Sequence, residues 1–331
     1  MASTDAVRDH PSTSVLIQGF ILYHVIVLFG AFLTSVVFVG PFFYPSTVGL
    51  FVVLPYLSYT LIIRRDEIKD GAHWPLFSNH FWIFATLRQF LQLEFATLPT
   101  ELAEEEMKEG AQFVIGVFPH GSWADYRVLM DGMLPQIFPN IASNIKTLAA
   151  SVLFRMPIIR EISLWTGCVD ARRSVAERQL DSGRSLLIIA GGEAEQIRTT
   201  FGKEIIYLSK RKGFVKLALQ KDIPLVPCYV FGCSDYYRTN LCFFDARVTL
   251  VKMLGVCISL ASGYLGSPWC PFPVKTTIVF GKPIQSKVEY KFSPTQEEID
   301  TAHAAFVVNI KALFDEHKGR LGFGDRELVI V

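Results

Sequence analysis

The sequence predicts an α/β protein: a mixed α/β sandwich around one central sheet, preceded by an N-terminal membrane helical hairpin. Three observations predict it. Half of the 331 residues are apolar and only 19% are charged, against roughly 25% in ordinary soluble domains, and the mean hydropathy is +0.33. No Asp, Glu, Lys or Arg occurs from His10 to Ile63, a stretch of 54 residues. Beyond residue 110, strand-like and helix-like runs alternate, the pattern of an α/β or mixed architecture.

The uncharged stretch divides into two elements. Val15–Val39 is a 25-residue apolar run, long enough to cross a hydrocarbon core of about 30 Å. Gly40-Pro41 breaks it. Val48–Ile63 follows with 16 residues and contains Pro55; at about 24 Å it crosses only if tilted or if the bilayer thins. A signal peptide does not fit, because the start carries Asp5 and Asp9 as well as Arg8 and the apolar core is too long. A hairpin places both ends on one side, and Arg64-Arg65 assigns that side to the cytosol. The expected organisation is a cytosolic tail over 1–14, a membrane hairpin over 15–63, an amphipathic or interfacial region over 64–110 and a catalytic domain over 111–331. Within the third part, His73–Phe95 is dense in Trp and Phe. It suits an interfacial helix or a core helix equally. Lys252–Gly266 is apolar but too short to span, and is expected to touch the membrane.

After an acidic helical stretch, Glu101–Glu109, the expected strands are Phe113–Phe118, Leu186–Ala190, Ile205–Leu208, Leu225–Phe231 and Thr276–Phe280. The expected helices are Asp125–Met133, Ser174–Leu180, Gly213–Gln220 and Pro294–His317. The composition excludes disorder. The net charge of +1 conceals −5 over residues 1–110 and +6 over the rest, too little basicity to predict a nucleic-acid partner. The six cysteines form no CxxC pair and no zinc-like spacing, so they read as reduced thiols. There is no GxSxG, P-loop, GxGxxG or HExxH motif.

One histidine of the seven stands apart. Phe118-Pro119-His120-Gly121 directly follows a predicted strand and precedes a predicted helix. That puts the imidazole at the carboxyl end of a strand, where α/β proteins bind ligands, with Gly121 allowing close substrate approach. Asp125 lies about one helical turn on and can reach back to the ring. A carboxylate on one ring nitrogen leaves the other as a general base. A structural turn histidine fits the same residues, so both readings stay open on geometry alone. Gly191-Gly192 ends another strand and offers backbone N–H groups to a substrate oxygen. Glu193 and Glu195, two residues apart, point the same way if the backbone is extended. From Arg198 to Lys221 there are seven basic residues against Glu204 alone. Arg211-Lys212-Gly213 at one helix start and Arg172-Arg173 at another suit the phosphates of coenzyme A or anionic lipid.

Taken together, the blocks His120-x4-Asp125, Phe154-Arg155-Met156-Pro157, Gly191-Gly192-Glu193-Ala194-Glu195, Arg211-Lys212-Gly213-Phe214-Val215-Lys216 and Leu225-Val226-Pro227-Cys228-Tyr229 resemble the type-2 diacylglycerol acyltransferase family of the glycerolipid acyltransferase superfamily. They occur in the family's order, from about residue 110 to the C-terminus. Two positions depart from it. The family has His where Phe118 stands, and Asp125 matches the wider superfamily instead. The family's acid partner falls on Glu195, so Asp125 and Glu195 both stand as candidates.

The resemblance implies a glycerolipid-acyltransferase-like fold and an acyl-CoA-dependent O-acyltransferase making triacylglycerol from diacylglycerol. Monoacylglycerol or a fatty alcohol is the alternative acceptor, and a non-catalytic hairpin coat of lipid droplets is the rival from another class. His120 would take the acceptor's hydroxyl proton. Asp125 and Glu195 would be its acid partners. Pro119, Gly121, Gly191, Gly192, Glu193, Arg155, Arg172, Arg211, Lys212 and Gly213 would bind substrate. No metal or bound cofactor is expected, acyl-CoA being a co-substrate. The expected partners are acyl-CoA, an acylglycerol and the bilayer, with a homo-oligomer left open. The expected location is the endoplasmic reticulum membrane or lipid droplet, with the active site in the cytosol.

Overall fold

The computed structural model describes residues 11–254, 257, 259–285 and 293–331. The first ten residues of the expected tail, and Gly255, Val256 and Ile258 of the Lys252–Gly266 stretch, lie outside them. Helix α1, Thr13–Phe38, starts where the Ser12 hydroxyl accepts the Val15 N–H at 3.4 Å. A second apolar helix, Ser46–Ile63, has 18 residues. It contains wide π-turns at Gly49–Val53 and Tyr59–Ile63, on either side of Pro55, whose missing N–H interrupts regular α-helical bonding. Both helices are long and apolar enough to cross a membrane, and both leave most of their surface uncovered.

The aromatic stretch resolves into two short helices, Pro75–His80 and α2, Trp82–Phe90. Phe84, Leu87 and Phe90 of α2 enter the core while Trp74, Leu76 and Trp82 stay exposed. Spacings of three and four residues put the buried set on one face.

The main sheet has seven strands: β1, Glu94–Phe95; β2, Val114–Phe118; β3, Ile145–Ala149; β4, Cys168–Asp170; β5, Ser185–Ile188; β6, Leu225–Phe231; and β7, Thr277–Phe280. Their spatial order is β1-β7-β6-β2-β5-β3-β4. β6, β2, β5, β3 and β4 run parallel, and β7 runs against β6. Every residue of β2 and β6 is buried, as expected for parallel strands covered on both faces. Ile205–Leu208 is strand in part: Glu204–Ile206 pairs with Leu328–Ile330 in a separate two-stranded sheet.

The pleat divides β2 between two cores. Ile115 and Val117 face a layer holding α1, α2 and α3, Asp125–Asp131. Val114 and Phe118 face a layer holding α4, Arg173–Asp181, α6, Gly213–Lys221, and α7, Gln296–Lys318; α5, Gly192–Gln196, follows β5. The expected helices thus stand within about two residues of their predicted ends. The short strands β3 and β4 carry no clear apolar alternation, and sequence pattern did not reveal them.

Candidate active site

The sheet order brings the candidate residues together. β2 lies between β5 and β6, all parallel, with Gly116 opposite Ile188 and Phe118 opposite Tyr229. Their carboxyl ends therefore release three loops side by side: 119–124, 189–191 and 232–237. Phe118 turns away from this edge, fully buried against Phe306 at 6.2 Å between rings.

The first loop is clamped. Tyr126, buried on α3, donates its hydroxyl proton to the Pro119 carbonyl at 3.0 Å. Gln196 Nε2 donates to the Ser122 carbonyl at 2.6 Å. Gly121 has φ +68°, and Cys233 lies close against it, so a side chain there would be strained. His120 Nδ1 lies 3.0 Å from the Gly121 carbonyl. A carbonyl only accepts, so Nδ1 carries the proton and Nε2 keeps its lone pair. Burial pushes the imidazole below its ordinary pKa, so it is neutral at pH 7. That is the state a general base requires.

The carboxylates occupy positions the sequence did not indicate. Gly192–Gln196 is helical, so Glu193 and Glu195 diverge instead of pointing the same way. Glu193 is half-buried near Arg211, and burial raises its pKa. Glu195 is buried. One oxygen accepts the backbone N–H of His120 and the other accepts the Tyr207 N–H at 2.6 Å. Burial pushes it up to about 7. Its side chain folds back over Gly191, where a Cβ would collide with the carboxylate. The first glycine of the pair is thus needed for close approach. The Gly192 N–H is held by the Ile189 carbonyl at 3.2 Å and is not free for a substrate oxygen. Among the described residues, the N–H groups of Gly121 and Gly191 carry no backbone bond.

Asp125 opens α3. Among the described residues neither Asp125 nor Glu195 bonds the His120 ring, whose one bonded nitrogen meets Gly121. Asp125 meets the Tyr237 hydroxyl instead, and burial pushes its carboxyl up to about 7. Its Oδ2 is shut off from solvent and has no partner among the described residues.

The expected phosphate-binding residues are spread along the sheet's carboxyl side. Arg211 Nη2 donates to the Gly191 carbonyl at 3.2 Å, and its guanidinium lies 5.4 Å from the Tyr207 ring. Arg198 lies 5.1 Å from that ring. Arg211 thus supports the Glu195 loop. Lys212 precedes α6, which begins at Gly213, and pairs with Asp300 at 2.8 Å. Arg172 precedes α4 and pairs with Asp170 at 3.1 Å. Arg155 is exposed after β3. Sequence reasoning missed Tyr126, Gln196, Tyr207, Tyr236 and Tyr237. The signal for the last two was their place on the loop leaving β6, next to the strand that carries His120.

The model of the diacylglycerol acyltransferase family matches residues 44–331. The chain belongs to the diacylglycerol acyltransferase family, a family of acyltransferase enzymes. Diacylglycerol O-acyltransferase 2 of Mus musculus is 34% identical over 289 residues, covering 81% of this chain and 68% of that one. 2-acylglycerol O-acyltransferase 3 of Homo sapiens is 29% identical over 320 residues, covering 88% and 89%. Diacylglycerol O-acyltransferase 2 of Danio rerio is 32% identical over 239 residues, and the match spans 64% of its length.

Proposed function

We propose that the protein transfers an acyl group from acyl-CoA to the free hydroxyl of diacylglycerol, with His120 as general base. The observation that carries this reading is His120 itself: Nδ1 tied to the Gly121 carbonyl, Nε2 unprotonated, at the carboxyl edge of the central strand of a family member. Nε2 removes the hydroxyl proton as the oxygen attacks the thioester carbonyl. The tetrahedral oxyanion is held by the N–H groups of Gly121 and Gly191. The intermediate collapses, the C–S bond breaks, and coenzyme A leaves with the proton returned through His120. Glu195 acts by fixing the backbone from which the imidazole projects. Arg155, Arg172, Lys212 and Gly213 line the side from which coenzyme A's phosphates approach. The two apolar helices hold this edge at a membrane, read as that of the endoplasmic reticulum with the site facing the cytosol.

Monoacylglycerol is the second reading, favoured by the human 2-acylglycerol relative that matches nearly end to end. The test is thiol release and lipid product from purified protein given one labelled acyl-CoA and a panel of diacylglycerol, monoacylglycerol and fatty alcohol. Triacylglycerol as the main product is expected. No thiol release with any acceptor refutes the reaction and favours a non-catalytic coat protein.

A further inference from the structure

The seam between α1 and the catalytic domain contains an unexplained polar pair. α1 turns Gly19, Leu22 and Tyr23 inward, with the Tyr23 ring edge-on to Phe90 at 5.8 Å. Two turns of the helix are fixed against the domain, His24 Nε2 meeting the Ser267 hydroxyl at 2.9 Å. Within this contact the Tyr23 hydroxyl is buried, with 7% of the residue exposed, and has no partner among the described residues. Asp125 Oδ2, also without a partner, lies within electrostatic reach of it. Buried polar atoms are almost always satisfied, and a native exception calls for an explanation.

The surroundings show what is missing. Tyr237's single hydroxyl proton faces two acceptors, the Asp125 carboxyl and the Trp269 carbonyl at 3.3 Å. Tyr236 is engaged with Thr276 at 2.8 Å. The pair therefore presents one unused donor, Tyr23, and one unused acceptor, Asp125, among the described residues. An alcohol is the group that accepts from one and donates to the other. The neighbours are aromatic, Phe90 packing on the Tyr23 ring, and Tyr23 belongs to the helix whose outer residues, Ile17, Ile21 and Val25, are exposed. Asp125 follows His120 by five residues on the same loop and helix start.

We infer that Tyr23 and Asp125 form a hydroxyl-binding subsite for a neutral glycerolipid, which arrives from the bilayer along α1. This rests on the proposed acceptor class and assigns its glycerol end to a named pair. The membrane helix is then part of the substrate site as well as an anchor. Asp125 acts as a binding group, with no role as the partner of the His120 ring.

The test uses the full chain in nanodiscs without acyl-CoA. A diazirine-bearing diacylglycerol is crosslinked and competed by 1,2-dioleoylglycerol or by its 3-O-methyl ether, which cannot donate. Wild type should be competed preferentially by the free alcohol. Tyr23→Phe keeps the ring and its packing, and Asp125→Asn keeps the side-chain shape. Asp125→Asn should lower that preference about five- to tenfold, the loss of one hydrogen bond to a charged acceptor, while Tyr23→Phe should weaken competition by alcohol and ether alike, since both accept from Tyr23; acyl-CoA affinity should be unchanged in both. Absence of the preference in wild type overturns the subsite. So does its survival in Asp125→Asn, which would mean that a structural water bridges the pair. An equal fall in acyl-CoA affinity in Tyr23→Phe also overturns it, since the effect would then be general. Selective lipid binding without acyl transfer keeps the subsite and refutes the reaction. Acyl transfer with the preference intact in Asp125→Asn refutes the subsite alone.

Discussion

The His120 loop and the α1 seam meet at Asp125, five residues after His120, yet they are built to opposite rules. In the loop, backbone and side-chain groups are held from several sides: Tyr126 on Pro119, Gln196 on Ser122, Glu195 on the His120 N–H. At the seam, Tyr23 and Asp125 each keep a polar atom with no partner among the described residues. The difference teaches where chemistry and recognition divide. A base must be held in one geometry before substrate arrives, whereas a binding group must leave its hydrogen-bonding capacity open.

The strongest way to break this comparison is His120→Ala. Loss of a general base should lower kcat by about 10²–10⁴-fold, with the melting temperature and acyl-CoA affinity unchanged. Wild-type turnover would remove the loop from the chemistry altogether.

Glu195→Gln comes next. An amide offers one acceptor where two backbone N–H groups need one each, leaving a buried donor unmatched at a cost of about 1–3 kcal/mol. A lower melting temperature is expected together with a lower kcat, about tenfold, and unchanged KM for both substrates. A change confined to acceptor KM would instead put Glu195 on the lipid. Gly191→Ala probes the same contact from the other side, because its methyl displaces the Glu195 carboxylate. It should copy the kinetic defect of Glu195→Gln, and a rate equal to wild type would show that the clamp is dispensable.

The pH profile tests the loop's electrostatics. Burial lowers the His120 pKa below 6.5, and the neutral form, the proposed base, exists above that pKa. The part of the acid limb of kcat/KM that belongs to His120 should thus lie below pH 6.5 in initial-rate measurements, beneath a limb near 7 from protonation of Asp125 and Glu195, the rate falling as pH falls through each. A limb above 6.5 attributable to His120 would contradict its burial. The smallest effect is expected from Phe118→His. The side chain faces Phe306 and the apolar layer behind the sheet, so activity should persist while thermal stability drops by about 1–3 kcal/mol, the cost of burying an unpaired polar group there.

The comparison also marks what the sequence could show. β2, β6 and the long helices were legible because burial on both faces, or on one helical stripe, writes a continuous or periodic apolar pattern. The placement of His120 followed, since a strand followed by Pro-His-Gly has to turn at the sheet edge. Glu195's task was hidden: it binds the backbone of a residue 75 positions away, and no spacing rule encodes such a contact. The paired glycines suggested extended backbone, whereas Gly192–Gln196 forms a helical turn. Asp125 was visible as a nearby carboxylate, but its neighbour Tyr237 comes from the loop of another strand. Tyr23 was hidden most completely, because an apolar helix gives no sign of which tyrosine turns inward.

The docking of α1 against α2 and Ser267 has a kinetic consequence. On the proposed function, a catalytic body fixed to an apolar helix that lies in the membrane cannot retreat into bulk water between turnovers, so it meets its lipid substrate by lateral diffusion in two dimensions. The quantity that sets its rate is then the mole fraction of acceptor within the lipid sheet, and diluting the membrane with inert phospholipid should slow it even when the total acceptor in the tube stays constant.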